Sequence, residues 1–220
     1  MREGRQCCFM LKLENVSFTY KDGNKVLNNF NLNLKSDERI ALIGPNGSGK
    51  TTLFKIIMGL LKPESGKVII FGKERTKNDD FQEVRERVAY LFQDPDNQLF
   101  SPTVEEDIAF GPLNLGKSKE EAFELVQSTL ELVGMESYRK KVSYNLSQGE
   151  KKLISFAAVM AMEPEILLLD EPFASLDQKA VKRMTAILNK ISQPFIIVSH
   201  NNQLLDSVIT KSLHIKELNN

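Results

Sequence analysis

No apolar run in this sequence approaches the roughly 20 residues that a membrane-crossing helix needs. Phe156 to Met162 and Ile166 to Leu169 are among the longest, and the N-terminal residues hold no hydrophobic segment of the kind a secretory leader uses. The expectation is a chain with no direct membrane insertion that can still bind a protein spanning the bilayer. Net charge is missing too, because 29 Lys and Arg offset 29 Asp and Glu. No overall field gathers nucleic acid or an anionic surface, and a nucleic-acid partner is not expected. Cysteine is scarce: Cys7 and Cys8 are adjacent, cannot readily pair with each other, and have no other partner in the chain. That excludes a disulfide framework and fits a reduced, cytosolic setting, with residues 1–9 read as a flexible N-terminal extension.

What remains is enough for a sizeable core. At 220 residues and 41% hydrophobic, the chain reads as one domain over residues 10–220, with a helical lobe inserted at about 94–160. Leu11, Leu13, Val16, Phe18 and Tyr20, then Phe30, Leu32 and Leu34, are spaced for half-buried antiparallel strands. Short continuous apolar runs at Ile40 to Ile43, Val88 to Phe92, Ile166 to Leu169 and Phe195 to Val198 suit strands covered on both faces, and so a mostly parallel central sheet. Between them, Thr51 to Met58 is a predicted helix ending at Gly59. Ser118 and Glu121 make a capping box before the stripe Ala122, Leu125, Val126, Thr129, Leu130, Val133, which Gly134 stops. A further apolar helix is predicted over Leu153 to Met162.

Gly44-Pro45-Asn46-Gly47-Ser48-Gly49-Lys50-Thr51 follows one predicted strand and opens a predicted helix. That is the setting in which the G-x-x-x-x-G-K-[ST] pattern cradles phosphates. Glycines let successive backbone N–H groups turn inward, and the helix N-terminus adds partial positive charge. Lys50 suits the beta and gamma phosphates, and the Thr51 hydroxyl, followed by Thr52, suits magnesium. Chance alone would produce the four fixed positions at about one per cent over a chain of this length, so the loop is read as a Mg-ATP site.

Ile166 to Leu169 runs into Asp170-Glu171 at a strand end, where ligands bind in such sheets. By itself an acidic pair there is an ordinary charged turn. Beside a phosphate loop, Asp170 is placed to help hold magnesium and Glu171 to polarise a water for attack on the gamma phosphate. His200 follows another strand expected beside the nucleotide and is placed to hydrogen-bond the gamma phosphate, whereas His214 has no such placement.

Leu146-Ser147-Gln148-Gly149-Glu150 resembles the signature motif of ATP-binding cassette (ABC) proteins. The likeness covers nearly the whole chain in the family's order: Tyr20, the phosphate loop, Gln93, the signature, Ile166 to Glu171, Ser175-Leu176-Asp177 and His200. The resemblance implies a P-loop α/β ABC ATPase with an N-terminal antiparallel β subdomain and the inserted helical subdomain. It implies that Tyr20 stacks on adenine and that Gln93 reaches magnesium and the attacking water. Ser147 and Gly149, with Gln148, Glu150 and Asp177 in the same nucleotide-binding set, then meet the ATP of a second subunit. Two departures stand out. Gln148 and Glu150 replace the commoner Gly and Gln, and Asn201 replaces a frequent Asp; Glu150 beside a partner's phosphates would slow turnover through repulsion.

Gln93-Asp94-Pro95-Asp96-Asn97-Gln98-Leu99-Phe100, continued by Pro102 to Pro112, is similar to the corresponding stretch of energy-coupling-factor and cobalt or nickel import ATPases. That similarity implies membrane subunits contacted near Gln98, Leu99 and Phe100, a peripheral location on the cytoplasmic face of the cell membrane, and cobalt, nickel or a vitamin as cargo. Exposed Leu99 and Phe100 are the expected anchors. A soluble ABC ATPase in a non-transport role is the alternative, and a P-loop kinase would not need Leu146 to Glu150. Relatives in the importer group often continue into a C-terminal dimerisation segment, whereas this chain stops soon after His200, so pairing with itself or with a different ATPase stays open.

Overall fold

The computed structural model describes residues 9–215; Cys7 and Cys8, with nearly all of the expected N-terminal extension, lie outside them. Two strands, β1 (Leu11–Thr19) and β2 (Lys25–Leu34), form a hairpin, and β3 (Arg39–Ile43) leads into α1 (Lys50–Ile57). Then come β4 (Ser65–Ile70), β5 (Lys73–Glu74), α2 (Gln82–Arg87) and β6 (Val88–Leu91). Three helices form the lobe: α3 (Val104–Asn114), α4 (Lys119–Val133) and α5 (Gln148–Ala161). The chain returns through β7 (Ile166–Asp170), α6 (Gln178–Lys190), β8 (Phe195–Val198), α7 (Asn202–Asp206) and β9 (Lys211–His214).

The strands divide as their apolar spacing predicts. An antiparallel sheet runs β2-β1-β4-β5, and a parallel sheet runs β6-β7-β8-β3-β9. Successive residues of a strand point to opposite faces, and here each face has its own core. Leu167 and Leu169 pack with the helical lobe, while Ile166 and Leu168 pack with α1 and the antiparallel sheet. The continuous apolar run of β7 is thereby buried throughout, each Leu or Ile contributing about 1.5–3 kcal/mol of transfer free energy. The parallel sheet is the layer between two cores.

The capping box at Ser118 and Glu121 starts α4, and Gly134 ends it in the left-handed conformation at φ 61. Arg183 of α6 donates to the carbonyls of Val133 and Gly134 at that end, tying the lobe to the sheet layer. The helix predicted over Leu153 to Met162 begins five residues earlier, at Gln148. Ser147 and Glu150 form a second capping box of the kind read at Ser118, so the signature motif is the first turn of α5 rather than the loop before it. Three strands escape the sequence pattern, among them the two-residue β5. β4 carries two non-apolar residues and a glycine before its apolar end, and β9 is a largely exposed edge strand whose alignment comes from pairing with β3. No described helix is long and apolar enough to cross a membrane.

Candidate active site

The loop from β3 to α1 is built around a left-handed Gly49, φ 95, at the helix N-cap. A Cβ there would also stand 2.9 Å from the Val26 carbonyl oxygen, so the position needs glycine twice over. Asn46, Gly47, Gly49, Lys50, Thr51 and Thr52 line a cavity of 610 Å³ together with Tyr20, Gln93, Asp170, Glu171 and His200. The structure thus gathers residues from five separate stretches of sequence at one helix N-terminus. Gly44, Pro45 and Ser48 form the underside. Lys50 Nζ donates to the carbonyls of Gly44 and Pro45, 2.7 Å each, with Ser48 Oγ at 3.5 Å. Burial lowers the Lys50 pKa, and the charges of Glu171 and Asp170 work against that shift.

Tyr20 sits at the rim. Its hydroxyl is 2.8 Å from Thr52 Oγ1 and its ring edges onto Phe18, and the side chain is still 37% exposed. On the opposite wall, Asp170 Oδ2 accepts hydrogen bonds from Thr51 Oγ1 at 2.9 Å and from the Tyr90 hydroxyl at 3.1 Å. Burial pushes the Asp170 carboxyl above its ordinary value, and these two donors oppose the shift. Burial also raises the Tyr90 phenol far above its ordinary value, so it remains a donor. Glu171 is held at φ 50, an uncommon conformation for a residue with a side chain, by its N–H to the Val198 carbonyl at 2.9 Å. Burial raises its pKa, against the pull of His200. His200 Nε2 lies 3.4 Å from Glu171 Oε1, close enough for charge interaction, yet Oε1 is buried without a hydrogen-bond donor among the described residues. A buried acceptor left in that state fits a site built to take up a water.

The cation chemistry fits as well. The Thr51 hydroxyl, the Asp170 carboxylate and the Gln93 amide offer hard oxygen donors on one cavity, which suits magnesium. Among the described residues no group of three or more His, Cys, Asp or Glu could cage a metal by itself. A magnesium ion here would therefore take the rest of its ligands from phosphate and water, as that ion commonly does.

The signature residues do not join this cavity. Ser147, Gly149 and Glu150 line a second cleft of 370 Å³ with Tyr138, Ser175 and Asp177. Gly149 approaches the chain so closely that a Cβ would lie 2.6 Å from the Ser175 carbonyl oxygen. Asp177 caps α6 by accepting from the Ala180 N–H at 2.7 Å. Glu150 accepts from the Ser147 N–H at 2.8 Å, the Ser147 hydroxyl at 2.7 Å and the Tyr138 hydroxyl at 2.6 Å. These donors lower its pKa, Tyr138 first, and hold its charge on the capping side of the cleft. Gln148 turns out of the cleft altogether, donating to Asp96 at 2.8 Å.

Several residues that no motif marks hold these parts in place. Lys152, buried in α5, donates to the carbonyls of Phe92 at 3.0 Å and Gln93 at 2.5 Å, and Lys151 reaches Asp96 at 2.6 Å. The signature turn and the segment carrying Gln93 are thus joined side by side. Asp107 accepts from the N–H groups of Phe100 and Ser101, at 2.9 and 2.7 Å, and from the Ser143 hydroxyl at 2.5 Å, setting the turn that displays Phe100. Leu99 differs from expectation: it is half-buried against the lobe core, because this same turn rolls it inward, whereas Phe100 is 66% exposed and edges onto exposed Phe110. Gln98 is also used internally, between the Phe92 N–H and the Ser155 carbonyl. A buried Lys or Asp in a polar run has no sequence periodicity to betray it.

Comparison with known proteins places this geometry. The sequence profile of the ABC transporter family matches residues 27–174. The energy-coupling factor transporter ATP-binding protein EcfA of Methanothermobacter thermautotrophicus is 44% identical over 200 residues, covering 89% of this chain and 64% of its own length. EcfA1 of Methanospirillum hungatei is 43% identical over 200 residues, covering 89% of this chain and 72% of that protein. Among solved structures, cbiO1 from Clostridium perfringens, part of the ABC transporter complex cbiONQ, superposes with a TM-score of 0.84 at 35% identity, over 94% of this chain and 85% of the other. A dimeric ATP-binding cassette in a post-hydrolysis state with ADP and Pi superposes with a TM-score of 0.87 at 28% identity, over 94% of both chains.

Lys152 makes a pH-dependent prediction. Burial lowers its pKa from 10.5 to about 8 in the folded chain, so between those values the unfolded state binds more protons and stability rises with pH. Unfolding by denaturant across that window should show a steeper rise for the parent than for Lys152→Met; equal slopes would contradict the assignment.

Proposed function

The chain belongs to the ABC transporter family of ATP-binding proteins, and we propose that it is the ATP-hydrolysing subunit of an energy-coupling-factor-type importer, working as one half of a pair of ATPases. The observation that carries this reading is the separation of the phosphate loop and the signature turn into two cavities. A nucleotide held by Lys50 and Thr51 meets Ser147 and Gly149 of a second subunit, and that subunit is another copy or a related ATPase. The N-terminus of α5 brings its partial charge to the partner's gamma phosphate.

In each composite site, the loop amides and Lys50 hold the phosphates and Tyr20 stacks on the adenine. Thr51, Asp170 and Gln93 would hold magnesium, which would supply charge neutralisation on the phosphate oxygens. Glu171 orients the attacking water through its unpaired oxygen, His200 hydrogen-bonds the gamma phosphate, and the products are ADP and phosphate. Asp177 and Glu150 border the cleft that receives the partner's nucleotide.

The importer reading draws on the similarity to the EcfA proteins and to cbiO1. It also draws on Phe100 and Phe110, an edge-to-face aromatic pair exposed on the helical lobe. In this reading the aromatics anchor an integral membrane subunit, with the chain peripheral on the cytoplasmic face of the membrane. Cobalt or nickel is the cargo class we infer, with a vitamin as the alternative, since cargo is chosen by the membrane partners.

Two outcomes follow. Glu171→Gln should keep ATP affinity, lose turnover by about 100-fold or more, and accumulate an ATP-bound dimer in size-exclusion chromatography; normal turnover would contradict the role given to Glu171. Phe100→Ala with Phe110→Ala should leave ATP hydrolysis by the isolated chain unchanged while abolishing uptake or assembly in the reconstituted membrane complex. Leu99 is spared in that variant because truncating it would open the lobe core.

A further inference from the structure

We infer that Tyr90 is a positioning residue for Asp170, fixing which carboxylate oxygen is offered to the magnesium of the bound nucleotide. Tyr90 lies in β6, next to β7, in register with Leu168. Its ring is wedged edge-on between Phe54, with centroids 5.5 Å apart, and Phe92, 4.5 Å apart, so the phenol cannot swing away. The hydroxyl donates to Asp170 Oδ2 at 3.1 Å, the oxygen that also receives the Thr51 hydroxyl. Both donors fall on Oδ2, and among the described residues no hydrogen bond is made to Oδ1, which leaves that oxygen available to the ion.

The two donors are not equivalent. Thr51 would itself hold the magnesium in the function proposed above, so its hydroxyl would serve the ion as well as the carboxylate. Tyr90 is behind the carboxylate, buried, and lined on both sides by aromatic rings. It is the donor that keeps Asp170 aimed throughout the cycle. A phenol that merely satisfied its own buried hydroxyl would affect folding alone, with no separate effect on the metal.

The inference rests on the reading of Asp170 as the metal-side carboxylate, and the experiment separates the two. ATP is titrated against the parent, Tyr90→Phe and Asp170→Asn, each with excess magnesium and with a chelator. Phenylalanine keeps the aromatic packing. Tyr90→Phe should show unchanged affinity for metal-free ATP, while the gain in affinity on adding magnesium shrinks by about tenfold, the size expected for losing a hydrogen bond to a charged group. An undiminished gain, or an equal loss with and without magnesium, overturns the inference. If Asp170→Asn also keeps the full gain, the reading of Asp170 falls with it; if only Asp170→Asn loses the gain, Asp170 stands and Tyr90 does not. Fluorotyrosine at position 90 of the otherwise unchanged chain gives a second readout should Tyr90→Phe fail to fold. Its fluorine resonance should move when magnesium joins the ATP complex, and a resonance blind to magnesium overturns the inference.

Discussion

A triphosphate crowds more negative charge into a small volume than one helix N-terminus can neutralise, and the rest of this structure is arranged around that constraint. The chain has two helix N-termini suited to phosphate, at α1 and at α5, and opens them into different cavities. Each is tightly specified locally. Gly49 is required by its own φ and by the Val26 carbonyl, and Gly149 by the Ser175 carbonyl. On the proposed reading these are two halves of a site, and a second subunit closes each one.

The packing serves the same end. A parallel sheet with a separate apolar core on each face fixes the strand ends that present Asp170, Glu171 and His200. The helical lobe joins this layer through a small number of polar links. Lys152 ties the signature turn to the carbonyls of Phe92 and Gln93, Lys151 and Gln148 hold Asp96, and Arg183 holds the end of α4. The residue read as contacting the chain's own nucleotide and the turn read as contacting the partner's are thus mechanically continuous. Phe100 and Phe110 stand on the same lobe, so the surface proposed to meet a membrane subunit belongs to the same packed body as the signature turn.

What could be read directly from sequence followed from strong local rules. Ile40 to Ile43 followed by glycines and Lys50-Thr51 is a strand, a loop and a helix start in one continuous stretch, and Ser118 to Gly134 carries both its caps. The same S-x-x-E logic at Ser147 and Glu150 was there to extend α5 back to Gln148, but the polar residues of that first turn hide it from an apolar-stripe reading. β9 has little stripe of its own and owes its place to pairing with β3. Leu99 and Phe100 are adjacent and both apolar; their opposite fates depend on a turn set by buried Asp107, which no spacing rule anticipates. Tyr90, within a strand read as apolar core, turned out to have a polar tip on Asp170.

The central claim is that catalysis needs the phosphate loop of one chain and the signature turn of another. Mixing two variants tests it directly: Lys50→Ala, which spoils the loop, and Ser147→Arg, which blocks the cleft. Each alone should be inactive. In a mixed pair, one composite site receives both defects and the other receives neither, so the account predicts that ATPase activity returns on mixing. A mixture as inactive as its components, with mixed dimers present, would contradict it.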